Sequence, residues 1–301
     1  MKFVIACASA CIFAASATAQ QNPINFESTE LRGGIVMLST GRGGNLGLLT
    51  GEDGILLVDD LLPGTGPLVE AAIAEIAGDG VPRFILNTHY HGDHMGSNNH
   101  FHAEGSTIVA HHNIRTRLEN SDEEIFQDAA FLPILTFGAD LHFHMNGETV
   151  RAVHVPSAHT DGDALVYFEN ADVLHMGDTL FSGLFPFIDI AGGGSVDGYL
   201  DAMETGLRIA GPDTQIIPGH GPLSTVDDIQ ASLDMVRATR DIIAPLVEQG
   251  MSLEDILAED PLADYHDEWN WGFICTPRMV ATLYIDAAGV VDASPLSTRC
   301  N

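Results

Sequence analysis

Apolar residues along this chain alternate between two spacings. Short unbroken runs bounded by glycine predict strands at 35–39 and 54–59, with turns at 41–44 and 51–54. Helical spacing follows at 67–77, where Leu68, Val69, Ala72, Ile73 and Ile76 share one face. A strand at 83–88, a short helix at 95–102, a strand at 107–110 and a helix at 112–120 continue the alternation. The second half repeats it in a different order. Strands are expected over 134–156, 164–168 and 173–176, then a helix at 196–209 and a strand at 215–217. A long amphipathic helix over 225–249 has Ser224 or Thr225 as its N-cap, and a last helix spans 277–288. Strands followed by helices, twice over, predict an α/β chain whose two sheets pack face to face with helices outside.

The N-terminus follows a different pattern. Met1-Lys2, an apolar run over 3–17 and the small-residue site Ala17-Thr18-Ala19 read as a secretory signal peptide over 1–19. The run is short of the ~20 residues a membrane span needs, and no Cys is placed at the cleavage site for lipid attachment. The expected product is one domain over 20–301, periplasmic or secreted, with no stable membrane anchor. No low-complexity linker or repeat divides it.

Charge narrows the partners. There are 42 acidic against 12 basic residues, for a formal charge of −30. The only lysine, Lys2, leaves with the signal peptide. Such a surface excludes nucleic acid and anionic lipid headgroups as ligands and favours a small-molecule substrate. Oligomeric state is not legible. Cys275 and Cys300 remain after cleavage; in an oxidising compartment they can bridge, or they stay two thiols.

The densest chemistry lies in Thr88-His89-Tyr90-His91-Gly92-Asp93-His94, three imidazoles and a carboxylate within seven residues. Packing does not account for that many groups needing partners at once. Imidazole with carboxylate is the donor set that zinc and its neighbours prefer. The run sits at the carboxyl end of a predicted strand, where open α/β sheets place ligands. Three more polar points follow predicted strands: Ser157-Ala158-His159-Thr160-Asp161, His175-Met176-Gly177-Asp178 and Pro218-Gly219-His220-Gly221. Singly, each is an ordinary turn.

Together and in this order they resemble the metallo-β-lactamase superfamily over roughly 30–290. The resemblance implies a four-layer αββα sandwich (α/β, or α+β in some schemes) with two Zn²⁺ per chain. His89, His91 and His159 would hold one zinc; Asp93, His94 and His220 the second; and Asp178 would bridge them. It further implies a hydrolase whose metal-held hydroxide attacks an activated carbonyl, with Asp93 as the catalytic group that orients it and shuttles its proton. Family β-lactamases carry a Cys at the Asp178 position and a Lys soon after. This chain has Asp178-Thr179-Leu180-Phe181 and no lysine after Lys2, and so resembles the glyoxalase II-like members. A lactam, lactone, ester or thioester is the expected substrate class. The alternatives are iron-dependent redox chemistry on the same fold and a non-catalytic metal-binding protein.

Other residues carry weaker expectations. His100 and His102 read as partly exposed, while His111 and His112 fall close enough to a strand end to reach the site edge. His142, His144, His154 and His175 read as structural or solvated, and His266 has no assigned role. Phe181, Leu184, Phe185, Phe187 and Ile188 are either core or an apolar pocket wall beside a mobile Gly192-Gly193-Gly194. Tyr90 faces pocket or core. Trp269 and Trp271 pack the final helix, and Asp161 and Asp163 set a turn and support the ligands.

Overall fold

The computed structural model describes residues 24–122, 124–290 and 300; the signal-peptide segment lies outside them. Seven strands form the first sheet in sequence order: β1 (Glu27–Glu30), β2 (Ile35–Ser39), β3 (Leu46–Leu49), β4 (Leu56–Val58), β5 (Phe84–Leu86), β6 (Thr107–His111) and β7 (Leu135–Phe137). The first four run antiparallel, and β4 through β7 are parallel. The second sheet has the order β12-β11-β10-β9-β8, comprising β8 (Asp140–Met145), β9 (Glu148–His154), β10 (Ala164–Phe168), β11 (Val173–Phe181) and β12 (Gln215–His220). It is antiparallel except for the β11–β12 pair.

Alternate residues of each strand point to opposite faces, and this divides the core into layers. Ile35 and Met37 of β2 meet Ala152, Val166 and Phe168 of the second sheet between the two sheets. Val36 and Leu38 face outward onto Val69 and Ile73 of α1 (Gly66–Ala77). On the far side, Leu165, Leu174 and Ile216 pack under α5 (Val196–Ile209), α6 (Val226–Glu248) and α9 (Thr276–Ala288). The order of layers is αββα, as expected. Sheets covered on both faces read as continuous apolar runs, which explains the first pattern in the sequence.

The structure corrects several boundaries. The stretch 134–156 is three strands, turned at Gly138-Ala139 and at Asn146-Gly147, both of the latter at positive φ. Asn-Gly is a strong hairpin signal, and it accounts for the break. The helix expected at 95–102 is two short ones, α2 (Gly92–Met95) and α3 (Asn98–Ala103). Strand β11 runs on to Phe181 through a bulge. Three further elements were not anticipated: β1, whose four residues are all exposed, α7 (Leu253–Glu259) and α8 (His266–Trp269). Thr225 caps α6, with Asp228 Oδ2 accepting from its backbone N–H at 2.7 Å. Cys275 and Cys300 do form a disulfide, with Cα atoms 5.5 Å apart. No helix among the described residues is long and apolar enough to cross a membrane.

Candidate metal centre

Six chain segments deliver the site to one edge of the two sheets. Beyond β4, the chain turns through Asp59 and Leu61, both at positive φ. This uncommon conformation aims the fully buried Asp59 carboxylate at the next strand end. Its Oδ1 accepts from the Thr88 N–H and its Oδ2 from the Thr88 hydroxyl, both at 2.7 Å. The same Oδ2 lies 2.7 Å from His94 Nδ1. One carboxylate therefore fixes the start of the histidine run after β5 and the ring of its last member.

Asp178 arrives by a different device. The register of β11 against β12 shifts at Gly177, which sits at φ 52° with Thr88 packed against it. That bulge swings the Asp178 carboxylate inward. Gly219, next to His220 at the end of β12, leaves it room: a Cβ there would lie 2.1 Å from Asp178 Oδ1.

The result is two groups of donors sharing one acid. His89, His91, His159 and Asp178 bring ligand atoms together, and Asp93, His94 and His220 form a second group beside them. Asp178 faces both. Its Oδ2 is 3.7 Å from His89 Nε2 and 3.5 Å from His159 Nε2. Its Oδ1 is 3.0 Å from His94 Nε2 and 3.4 Å from His220 Nε2. Asp93 Oδ2 lies 3.3 Å from His220 Nε2 and 3.8 Å from His94 Nε2. All seven residues expected at the centre are there.

The donor set fits a cation. His159 Nδ1 is 2.6 Å from the Phe187 carbonyl and His91 Nε2 is 2.9 Å from Asp189 Oδ2. Carbonyl and carboxylate oxygens only accept, so those outward nitrogens carry the protons. Two lone pairs then confront each other at 2.8 Å, between His159 Nε2 and His91 Nδ1. Burial, with His91 alongside, pushes His159 down to about 4, which disfavours a proton on its Nε2. His89 Nε2 is buried without a hydrogen-bond partner among the described residues, and burial likewise lowers that ring. In the second group, burial would lower His220, yet Asp178 and Asp93 pull it up to about 9. Burial would raise Asp178, but His94, His220 and His89 hold it well below the usual carboxylate range. The pocket calls for positive charge at both groups.

A family model of the metallo-beta-lactamase superfamily matches residues 39–224. The chain belongs to that superfamily. Among curated relatives, a hydroxyacylglutathione hydrolase of Pelagibacter ubique is 31% identical over 101 residues, covering 33% of this chain and 37% of that one. A hydroxyacylglutathione hydrolase of Methylococcus capsulatus is 33% identical over 118 residues, 39% and 40% of the two chains. The match thus spans less than half the length of either relative. In solved structures, a metallo-beta-lactamase from Pontibacter korlensis superposes with a TM-score of 0.58 at 16% identity, over 71% of this chain and 99% of that one. The DIM-1 metallo-beta-lactamase gives 0.59 at 16% identity, over 71% and 98%. These likenesses show the shared fold.

His91, Asp93, Asp178 and His220 of the centre line a cleft of ≈920 Å³. The run after Asp178 divides between the two readings left open: Phe181, Leu184 and Phe187 line the cleft, and Phe185 and Ile188 are core. Trp269 packs with the final helix as expected, whereas Trp271 lines the cleft, 5.9 Å from the His220 ring. Tyr90 donates to Asp189 Oδ2 at 2.5 Å. Gly192-Gly193-Gly194, expected as a mobile edge, is tied to Asp189 by the N–H groups of Gly192 at 2.8 Å and Gly194 at 2.9 Å. Asp163 sets the turn before β10 by accepting from the Thr160 N–H and hydroxyl, while Asp161 pairs with Arg117. His111 does not line the cleft; it stacks on His154 at 3.6 Å. Of the other histidines, His175 is buried against the Asn45 carbonyl, His102, His142 and His144 are exposed, and His100 and His266 pair with Glu70 and Asp260. Asp59 and Asp189 were not singled out from sequence. The available signal was an acid closing or interrupting an apolar run.

Proposed function

We propose that this chain is an exported, single-domain dizinc hydrolase acting on a small molecule with an activated carbonyl: a lactone, ester, thioester or lactam. The observation that carries the reading is Asp178, whose two oxygens each face a different histidine group. His89, His91 and His159 would hold one ion and Asp93, His94 and His220 the other, with Asp178 between. Zinc, when bound in such a site, supplies a hydroxide nucleophile at neutral pH and polarises a carbonyl oxygen.

The chain's own groups do the rest. Of the two carboxylates at the centre, Asp93 is the more open to the cleft, so its carboxylate is placed to orient the attacking water and take its proton. Asp59, Asp189 and the Phe187 carbonyl hold the rings of His94, His91 and His159 by their outer nitrogens. The cleft walls set the approach of the reacting carbonyl. The hydroxyacylglutathione hydrolase relatives support ester or thioester chemistry. Dedicated β-lactam hydrolysis is disfavoured, because no lysine follows Asp178 and no arginine among the described residues lines the cleft. Export is supported by the N-terminal pattern and by the Cys275–Cys300 bridge, since disulfides persist in oxidising compartments.

The test is a substrate panel with zinc-loaded protein: nitrocefin, an acyl-homoserine lactone, a thioester and a phosphodiester. Turnover of a carbonyl substrate is expected, with none of the phosphodiester. His91→Ala and Asp178→Ala should lose bound metal and activity together; full turnover by either variant refutes the assignment. Elemental analysis of protein purified without added metal should find zinc, and iron would redirect the reading to redox chemistry. The mass of the secreted or periplasmic product tests cleavage after Ala19.

A further inference from the structure

We infer that the cleft selects an uncharged substrate carrying an apolar acyl or ring group beside the reacting carbonyl; this rests on the hydrolytic reading above. An aromatic row runs along the cleft wall from His91 of one histidine group round to His220 of the other. Phe187 stacks on the His91 ring at 5.6 Å, Phe273 meets Phe187 edge-on at 5.3 Å, and Trp271 lies 5.7 Å from Phe273. Leu184, Leu62 and Pro63 complete an apolar lining. Phe273 is 43% exposed, a large aromatic left facing water beside the reaction centre.

The row is held in place. Trp271 Nε1 donates to the Phe185 carbonyl at 2.9 Å, and its backbone N–H donates to the Ile274 carbonyl at 3.0 Å. Arg278 donates to the Phe273 carbonyl at 2.6 Å and sets its guanidinium 4.4 Å from that ring's centroid. Such a wall needs little ordering when an apolar group arrives.

Charge points the same way. The acidic side chains lining the cleft are Glu27, Asp93 and Asp178, and among the described residues no lysine or arginine lines it. Arg42, exposed in the loop between Gly41 and Gly43, is not among the lining residues. Asn45 spends its amide protons on the Pro218 and Gly221 carbonyls, at 2.9 and 3.0 Å. A carboxylate carried by the substrate away from the reacting carbonyl would be desolvated among aromatic rings, and the guanidinium on this wall, that of Arg278, is already taken up by the Phe273 carbonyl and ring.

The test compares p-nitrophenyl hexanoate with the analogue whose chain ends in a carboxylate, a second ending in an ammonium, and p-nitrophenyl acetate, all on zinc-loaded protein. We expect kcat/KM for the hexanoate to exceed that of either charged analogue at least tenfold. Phe273→Ala, an exposed position, should lower the hexanoate-to-acetate ratio at least fivefold. Equal or faster turnover of a charged analogue overturns the inference. Binding of the unreactive hexanoyl anilide and its carboxylate-ended partner, followed by tryptophan fluorescence, separates the two claims. Discrimination in binding without ester turnover would sink the hydrolytic reading and keep this one. Turnover without discrimination does the reverse, and absence of both ends both.

Discussion

Asp189 Oδ2 takes protons from two directions, the Tyr90 hydroxyl and His91 Nε2. Those two bonds hold its carboxyl well below the usual range against the opposing effect of burial. Replacing it by Asn keeps the size and removes the charge that orients His91. Asp189→Asn should weaken metal binding by about 10–100-fold in a chelator competition. Tyr90→Phe should cost less, because the His91 contact survives; equal losses would mean the hydroxyl is the true anchor. The link from Asp189 to Tyr90 and His91 was not legible in sequence, because 98 residues separate Asp189 from His91. The candidate ligands themselves were legible because four of the seven crowd into one seven-residue run of types that do not pack together by chance, and the other three follow strand ends in a fixed order. A second prediction concerns His111, buried against His154 and pushed down to about 4 by burial, then by the neighbouring rings. It stays neutral in the fold but takes a proton near pH 6.5 when unfolded. Stability should therefore be intact above pH 6.5 and fall as pH drops toward 4, by on the order of 2 kcal/mol. Chemical denaturation across that window checks it, and His111→Asn should flatten the slope.

At the scale of elements, long periodic segments were readable and short ones were not. The helix over 226–248 carries its own cap and apolar stripe, whereas β1 is four exposed polar residues that become a strand only by pairing with β2. Which face of β2 met the other sheet was invisible, since both faces are buried. The cleft wall from 271 to 273 had no local signature either; its place depends on Phe185, more than 80 residues earlier. That wall is followed by the Cys275–Cys300 bridge, which closes a 25-residue span. Cys300→Ser should cost about 3 kcal/mol. Thermal unfolding with the metal content held constant would show it, and an unchanged midpoint would mean that α9 is held by its packing alone.

Across the whole molecule, 42 acidic side chains against 12 basic ones repel one another at low ionic strength. Raising salt from about 0.05 to about 0.5 M NaCl, which shortens the screening distance severalfold, should raise the melting temperature. A drop would mean that the described ion pairs outweigh the repulsion. The histidine run belongs to one half of the sandwich, while Asp178 and His220 belong to the other. A cation held by these residues would be gripped from both sides and would work as a rivet through the seam. Pulling it out with a chelator should loosen the seam as well as stop turnover, lowering the melting temperature by several degrees; at a metal concentration of about 100 Kd the rivet is worth about 2.7 kcal/mol.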